Sequence, residues 1–316
     1  MRTCIVSKFP PIEGGIASRT YWRVRRLLDA GDTVAVVTNA GGVDSEYRIA
    51  GCEEHLQWLV SERGLLLRDL SCPPPWHIPT SPDYVERLLN ETLHLLRTGS
   101  WDQIESDYLV PYGIVGHLAS RLTGLPHVVR HGGSDIAKFL HHPSYATILA
   151  DVLREASCVV TDDRHRPAVE PFAQCIECEA VPVADEMAFS FPSTPSSDGP
   201  LICAYVGKIN YHWRRKGLDR IVEWFAIQDQ SRISLRLVGQ GVGESDFKRW
   251  MQGTLGRELP IESFVPPWEM PRLFGSLDAV FVLGLDETVQ NMSLLADEAR
   301  LAGLRVIESL ESLTSL

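Results

Sequence analysis

The chain has 316 residues, 44% of them apolar and 22% charged, which is the balance of an ordinary soluble globular protein and excludes a disordered, collagen-like or coiled-coil chain. At about 150 residues per domain, the length predicts about two domains. Acidic residues outnumber basic ones by 41 to 30, for a net charge of −11, which argues against a nucleic-acid binder or a binder of anionic membranes.

The seven cysteines are dispersed singly, apart from Cys175 and Cys178. An odd, scattered set in a chain of this size predicts reduced thiols rather than a disulfide framework. No second pair follows the CxxC spacing to complete a zinc site, so two small residues near a strand are the simpler interpretation. Because the N-terminus lacks a signal-peptide core and no long apolar segment is present, we expect a soluble, cytoplasmic protein.

Short β-branched runs alternate with amphipathic stretches in the first part of the chain, which predicts βαβ units and a parallel sheet. We expect strands at 3–7, 33–38, 103–105, 127–130 and 158–161, and helices at 17–30, 83–97, 113–123 and 145–155. Strand 33–38, with the sequence TVAVVT, is almost entirely apolar. Such a strand is typical of a sheet that helices cover on both faces.

The same alternation restarts after a segment rich in proline and serine at 191–200, which predicts a linker. Beyond it we expect strands at 201–206, 234–238, 261–264, 279–283 and 305–308, and helices at 217–228, 244–254, 270–276 and 293–302. The sequence therefore predicts an α/β protein of two domains, residues 1–190 and 191–316.

The turn between the first strand and the first helix contains Gly14 and Gly15. Glycines let backbone N–H groups approach an anion, and the helix start adds the positive end of its dipole. Many such turns contain glycine for steric reasons alone. The Rossmann GxGxxG and Walker A patterns are absent, which argues against a nicotinamide dehydrogenase or a P-loop enzyme.

Four arginines give this first helix a basic flank, at positions 19, 23, 25 and 26. A flank of this kind can favour an anionic surface or an anionic acceptor. More often it is a solvated helix face, and the acidic balance of the chain supports that simpler interpretation. We therefore expect these four side chains to lie in solvent.

Four cations follow the strand at 201–206: Lys208, Arg214, Arg215 and Lys216. The carboxyl ends of parallel strands are where α/β proteins bind ligands, and cations there suit a diphosphate. A solvated loop is the alternative explanation. Basic residues before a helix oppose its dipole, so their presence here favours a binding function over a solvated loop. Further along, Glu298 lies in the helix at 293–302, where it could also be a solvated helix residue.

In order and spacing, these segments resemble the family 4 retaining glycosyltransferases. The matching stretches are 10–15, 30–38, 106–113, 123–126 with 131–132, 206–208 with 216–218, 237–241, 264–267 and 290–298. The resemblance implies the GT-B fold, in which two Rossmann-like domains face each other across a cleft. Residues 1–190 would be the acceptor-side domain and 191–316 the donor domain, which is expected to be incomplete because the family's later helices are missing.

The resemblance also implies site residues. Lys208 and Lys216 would neutralise the departing diphosphate and His131 would contact the transferred sugar, so these three are the predicted catalytic residues; for His131, a hydrogen-bonded histidine at a strand end is the alternative. The predicted donor-binding residues are Gly14, Gly15, Gln290, Asn291, Met292, Ser293, Leu294 and Glu298. Because the family commonly uses no metal, no cofactor is expected beside the nucleotide-sugar co-substrate.

One departure from the family pattern leaves two functions open. Gln290 stands where the family has a glutamate; an amide binds sugar hydroxyls but supplies no negative charge. The first function is metal-independent, retaining sugar transfer from a nucleotide diphosphate to a small-molecule or lipid-linked acceptor, in glycan or secondary-metabolite biosynthesis, with membrane contact that is at most peripheral. The second is a nucleotide-sugar binding protein without turnover.

Overall fold

The computed structural model describes residues 1–70, 82–178, 186–189, 199–283 and 294–313. The chain forms two compact units, Met1–Val183 and Ala184–Leu316, whereas the sequence predicted a division after residue 190. Helix α8 (Glu186–Phe189) therefore belongs to the second unit. Its Phe189 ring packs against Phe274 of that unit at a centroid distance of 5.8 Å.

The described part of the first unit contains a seven-stranded parallel sheet. Its strands are β1 (Arg2–Val6), β2 (Thr33–Thr38), β3 (Leu66–Asp69), β4 (Gln103–Asp107), β5 (His127–Arg130), β6 (Cys158–Thr161) and β7 (Ile176–Cys178), in the order β3-β2-β1-β4-β5-β6-β7. Its helices are α1 (Gly15–Asp29), α2 (Glu53–Ser61), α3 (Pro82–Thr98), α4 (Ile114–Thr123), α5 (Ser134–Phe139), α6 (Ala146–Glu155) and α7 (Arg166–Val169).

All five strands predicted for this unit are present, but the two edge strands were missed. Strands β3 and β7 are three or four residues long and largely exposed, so neither produces the apolar run by which a strand is recognised.

Strand β2 behaves as its composition predicts: Val34, Ala35, Val36 and Val37 are completely buried. Consecutive buried residues in one strand mean that both faces of the sheet are covered.

The described part of the second unit contains a five-stranded parallel sheet. Its strands are β8 (Leu201–Val206), β9 (Ile233–Val238), β10 (Ile261–Glu262), β11 (Ala279–Phe281) and β12 (Arg305–Ile307), in the order β10-β9-β8-β11-β12. Beside α8, its helices are α9 (Leu218–Ala226), α10 (Glu244–Leu255), α11 (Met270–Phe274) and α12 (Leu294–Leu301). Each strand predicted for this region is confirmed, and most of the predicted linker at 191–200 lies outside the described residues.

Both sheets have a switch point, where the direction of strand addition reverses. In the first, β2 and β3 lie on one side of β1 and β4 lies on the other; in the second, β9 and β10 lie on one side of β8 and β11 on the other. The loops that follow β1 and β4, and those that follow β8 and β11, therefore diverge. Each divergence leaves a crevice at the carboxyl edge of its sheet, which is where α/β proteins bind ligands.

None of the described helices is long and apolar enough to cross a lipid bilayer.

Helix α4 packs so closely on β5 that Gly116 has no room for a side chain. A Cβ there would lie 2.9 Å from His127 Cε1, and the His127 ring is held by a 2.8 Å hydrogen bond to Ser106 Oγ. We expect Gly116→Ala to lower the free energy of unfolding by about 1–3 kcal/mol, as overpacking does. Urea denaturation measures the change.

The control for this prediction is Gly253→Ala. Gly253 is exposed within α10, and a Cβ there would meet nothing within 4 Å. Because alanine is the better helix former, that variant should be more stable by up to about 1 kcal/mol. A loss of stability of the same size in both variants would contradict the packing explanation.

Candidate functional site

Helix α1 begins at the switch point of the first sheet. Gly14 has φ 126° and ψ 163°, a backbone conformation that residues with a side chain rarely adopt. Gly15 starts the helix, no side chain among the described residues caps it, and its first turn contains no acidic residue. The first N–H groups of a helix have no partner inside it. Gly14 and Gly15 therefore form a helix start that is compatible with a bound anion.

Arg19 connects this helix to two neighbouring strands, so its predicted position in solvent is wrong. Its Nε donates to Asp107 Oδ2 at 2.7 Å, and its Nη2 donates to Asp107 Oδ1 and, at 2.7 Å, to the His131 carbonyl oxygen. Asp107 ends β4, and its side chain is 4% exposed. One guanidinium group thus joins α1, the end of β4 and the loop after β5.

Arg23, one turn further along α1, is also paired rather than solvated. Its Nη2 donates to Glu105 Oε1 at 2.7 Å, and Arg130 Nε donates to Glu105 Oε2 at 3.4 Å. Burial acts to raise the pKa of Glu105, but the hydrogen bonds and charges of the two arginines hold that pKa below its usual value. Of the four arginines on the predicted flank, only Arg26 is exposed.

A signal for these pairs was present in the sequence. Glu105 and Asp107 lie two residues apart in an otherwise buried strand, so both side chains point to one face of the sheet. Buried carboxylates require cations. Arg19 and Arg23 are four residues apart on a helix, which places them on one face as well. Two matched pairs of opposite charge could therefore have been predicted.

His131 is 1% exposed, and both of its ring nitrogens are bonded within the chain. The Gly133 N–H donates to Nδ1 at 3.1 Å, so the proton lies on Nε2, which donates to Thr161 Oγ1 at 2.7 Å. Burial first, and then the charge of Arg19, lowers the pKa of His131 to about 3. The imidazole is therefore neutral with its tautomer determined. A contact between this residue and a sugar stays a prediction.

Asp135 anchors the loop that contains His131. It is completely buried and accepts backbone N–H groups of Leu109 at 2.7 Å, Gly132 at 2.9 Å and Ile136 at 3.1 Å. Burial raises the pKa of this carboxyl group to about 6 even though these hydrogen bonds act to lower it. Asp135 thus joins the loops that follow β4 and β5.

In the second unit, the loop after β8 lies directly on the loop after β9. The Gly207 N–H donates to the Val238 carbonyl oxygen at 2.9 Å. A side chain at Gly239 would overlap the Gly207 carbonyl oxygen. Glycine at this position therefore allows two backbones to approach closely, and this approach determines where Lys208 lies.

Lys216 lies at the switch point of the second sheet. Its Nζ donates to the Lys208 carbonyl oxygen at 3.2 Å, and the Tyr205 hydroxyl donates to the same oxygen at 2.9 Å. The next residue, Gly217, lies against the loop after β11, since a Cβ there would be 2.8 Å from Leu283 Cβ. Within the part of the second unit that the structure describes, no carboxylate pairs with Lys216, and burial alone lowers its pKa to about 8. This ammonium group therefore suits an anion.

The other two cations of the predicted cluster lie at the surface. Arg214 and Arg215 are both exposed, and the Arg214 guanidinium lies 4.0 Å from the centroid of the Trp213 ring. Trp213 itself is completely buried and packs against Phe247 at 5.0 Å. The cluster thus divides into two half-buried lysines at the carboxyl edge of the sheet and two solvated arginines.

The remaining predicted donor-binding residues are only partly described. Gln290, Asn291, Met292 and Ser293 lie outside the described residues. Leu294 begins α12, one residue after the predicted start of this helix. Glu298 is 3% exposed on that helix, so it is not the solvated helix residue that was its alternative. Its contact with a donor ribose stays a prediction.

Comparison with known proteins finds one matching family model and several solved structures of similar fold. Residues 14–165 match the family model of the glycosyl transferase 4-like domain. Among solved structures, HepE from Anabaena with UDP and glucose is 14% identical (98% of this chain and 80% of that chain covered, TM-score 0.68). Sucrose-phosphate synthase from Thermosynechococcus elongatus is 16% identical (98% and 82%, TM-score 0.68).

A third solved structure with this fold belongs to a different class of enzyme. The UDP-GlcNAc 2-epimerase from Neisseria meningitidis bound to UDP-GlcNAc is 11% identical, with 98% of this chain and 82% of that chain covered and a TM-score of 0.57. No curated protein matches the sequence. Such low identities establish the fold, and they leave the activity to be argued from the site.

Proposed function

We propose that this chain, whose residues 14–165 match the glycosyl transferase 4-like domain, is a glycosyltransferase that takes its sugar from a nucleotide-diphosphate donor. One observation carries the proposal. The half-buried ammonium group of Lys216 lies at the switch point of the second sheet, bonded to the Lys208 carbonyl oxygen and paired with no carboxylate of the described residues. A cation in that position suits a diphosphate.

The donor we propose is a UDP-sugar. Support for this class comes from the solved structures that share the fold, because HepE was determined with UDP and glucose and the epimerase with UDP-GlcNAc. In this chain, the diphosphate would lie against Lys216 and the loop that contains Lys208. Glu298, buried on α12, would accept hydrogen bonds from the ribose hydroxyls.

For the reaction itself, we propose transfer with retention of configuration at the anomeric carbon. The bond from that carbon to the diphosphate breaks while the acceptor hydroxyl attacks the same face. The departing phosphate oxygen takes the proton of that hydroxyl. Lys208 and Lys216 stabilise the negative charge that develops on the diphosphate, so no metal ion is required. The acceptor is a small or lipid-linked molecule with a free hydroxyl.

The first unit would position the reacting groups. Arg19 holds the start of α1 at the end of β4 and accounts for the position of the His131 carbonyl group. Gly14 and Gly15 would offer backbone N–H groups to the donor, and the His131 ring is bonded to Thr161 and to the Gly133 N–H. Orientation of this kind, together with charge stabilisation, supplies most of the acceleration in reactions of this class.

A transfer assay tests the proposal. The chain is incubated with UDP-glucose, UDP-GlcNAc or UDP-galactose and with mixed acceptor alcohols and phosphosugars; released UDP is quantified and the product's anomeric configuration is read by NMR. Formation of a retained glycoside supports the proposal. UDP-sugar binding without release of UDP would instead support the nucleotide-sugar binding protein, and interconversion of UDP-GlcNAc with its 2-epimer would support an epimerase. The absence of any binding would refute all three.

The pKa of Lys216 leads to a prediction about pH. Because burial lowers that pKa to about 8, the ammonium group is charged at pH 7 and increasingly neutral above pH 8. UDP remains fully ionised in this range, since its terminal phosphate has a pKa of about 6. We therefore expect the dissociation constant for UDP, measured calorimetrically from pH 7 to 9.5, to rise by up to about tenfold per pH unit above pH 8.

The control is Lys216→Arg. A guanidinium group stays charged throughout this range, so the affinity of the variant for UDP should be nearly independent of pH, whatever its absolute value. A decline of the same steepness in both proteins would show that another group titrates.

A further inference from the structure

The two cysteines of the CxxC motif are separated by the geometry of the strand that contains them. Cys178 ends β7 and Cys175 immediately precedes the strand. Side chains alternate between the faces of a strand, so residues three apart point to opposite faces. The register of the parallel pair places Cys178 beside Thr161 of β6. Three residues back, the same register places Cys175 beside Cys158, at the start of β6.

The surroundings of Cys158 and Cys175 agree with this register. Neither forms a disulfide, and the Cys175 side chain is close enough to Cys158 to raise the pKa of its thiol. The backbone is joined at the same place, because the Val159 N–H donates to the Cys175 carbonyl oxygen at 2.9 Å. Cys175 is exposed and Cys158 is half-buried. A reagent in solution can therefore reach the first thiol, and the first thiol can reach the second.

Cys178 has different surroundings. Its Sγ lies 3.9 Å from Arg166 Nη1 of α7, which packs on the opposite face from the Cys158–Cys175 pair. The described residues include no group of three or more histidine, cysteine, aspartate or glutamate side chains placed to hold a metal ion. Neither a zinc site nor a Cys175–Cys178 disulfide thus fits the described part of the chain.

We propose that Cys158 and Cys175 are a redox-active pair, which an oxidised low-molecular-weight thiol such as oxidised glutathione converts to a disulfide. The Cys175 thiolate attacks one sulfur of oxidised glutathione, so that a mixed disulfide forms and one glutathione leaves. Cys158 then attacks Cys175 Sγ, and the second glutathione leaves. The two protein thiols lose two electrons and two protons in total, and one oxidised glutathione becomes two reduced ones.

The order of attack follows from the two environments. Burial first, and then the hydrogen bond with Cys175, raises the pKa of Cys158 to about 11, so its thiol is almost entirely protonated at pH 7. The thiolate is the nucleophile in such exchange. Cys175, which is the exposed member of the pair, therefore reacts first with the disulfide in solution, and Cys158 resolves the mixed disulfide from the adjacent strand.

The crosslink would fasten the edge strand β7 to β6. It closes a loop over residues 158–175 and so lowers the conformational entropy of the unfolded chain, which stabilises the folded state. For a unit of this size, we expect the melting temperature of the oxidised chain to rise by roughly 5–10 °C over the reduced chain. The edge of the first sheet would then differ in stability between oxidising and reducing conditions.

The experiment maps the disulfide in the full chain. Purified protein is equilibrated with oxidised glutathione, remaining thiols are blocked, and the chain is digested with trypsin and Glu-C without reduction. Cleavage after Arg164 and Glu177 places the three cysteines on separate peptides, 156–164, 165–177 and one that begins at Cys178. Mass spectrometry should find the first two joined. The variants Cys158→Ser and Cys175→Ser should lose this species and the increase in melting temperature.

Cys178→Ser is the matched control, because it removes a thiol of the same motif on the opposite face. It should keep both the joined peptides and the thermal shift. Melting curves of all three variants under reducing conditions establish that each is folded. A disulfide between Cys175 and Cys178 would overturn the proposal. So would a disulfide from Cys158 or Cys175 to any other cysteine, or glutathione adducts that never resolve into a crosslink.

Discussion

Replacing Lys216 by alanine is expected to weaken the binding of UDP about 30- to 100-fold, which is the effect of losing one charge-assisted hydrogen bond to a phosphate. The Lys216 ammonium group is held by the Lys208 carbonyl oxygen at 3.2 Å and has no carboxylate partner among the described residues. A bound diphosphate would therefore supply the negative charge that the protein does not. Isothermal titration calorimetry at pH 7.5, below the pKa of about 8 for Lys216, measures the change.

The control for this variant is Arg215→Ala. Arg215 is the preceding residue and is exposed, so its removal should change the affinity for UDP by no more than about a few fold. Folding is a second control. Because burial lowers the pKa of Lys216, the folded state disfavours the charged form of this side chain. Loss of that charge in Lys216→Ala should therefore not lower the free energy of unfolding. Equal losses of affinity in both variants, or an unchanged affinity in Lys216→Ala, would contradict the diphosphate site.

Replacing Glu105 by glutamine is expected to lower the free energy of unfolding by about 3–5 kcal/mol, as removal of one partner from a buried ion pair does. The Glu105 side chain is 2% exposed and forms ion pairs with Arg23 and Arg130, whose side chains are 19% and 9% exposed. An amide retains the shape of the carboxylate but removes the negative charge that Glu105 supplies to Arg23 and Arg130. Urea denaturation at pH 7 measures the loss.

The matched control is Glu262→Gln, which breaks the pair between Arg236 and Glu262 in the second unit. That pair has an N–O distance of 2.7 Å, but its side chains are 29% and 41% exposed. Solvent screens it, so the expected loss is about 1 kcal/mol or less. If the two variants lose the same stability, burial is not what makes the Glu105 network important.

The low pKa of Glu105 adds a dependence on pH. Its pKa in the folded state lies below the usual value because of Arg23 and Arg130. The contribution of Glu105 to stability is therefore complete above the unfolded pKa of about 4.3 and is lost as the pH falls through the folded pKa. The free energy of unfolding of Glu105→Gln should accordingly fall less steeply than that of the unchanged chain as the pH decreases below about 4.5. A variant whose acid profile is parallel to that of the unchanged chain would contradict this assignment.

Much of the candidate site was predictable because it depends on local order along the chain. Each predicted strand ends close to where the structure ends it, and the loops that follow strands β1 and β8 contain Gly14 and Lys208 as expected. Hydrophobic periodicity and strand ends are properties of a few consecutive residues. Any segment with that pattern places its next loop at the carboxyl edge of a parallel sheet.

The mistaken expectations about the charges of α1 concern partners that are distant in sequence. Arg19 and Asp107 are 88 residues apart, and Arg23 and Glu105 are 82 apart, so the flank of α1 looks solvated until β4 is placed beside β1. The neighbour of Cys175 is also distant in sequence, because the parallel register of β6 and β7 places this residue beside Cys158 rather than Cys178. Local spacing alone does not reveal such pairs, since a charge or a thiol acquires its partner only when strands are arranged in a sheet.

The amino-acid sequence by itself determined that the chain is α/β with two parallel sheets, which family it resembles, and which loops contain the cations. Those properties follow from composition and from the spacing of apolar residues, which act over one or two turns of backbone. The tertiary structure alone decided which cations meet a carboxylate and which, like Lys216, meet a backbone carbonyl group and no carboxylate of the described residues. The physical reason is that burial and the position of a counter-charge determine the state of an ionisable group, and both depend on strand order and register.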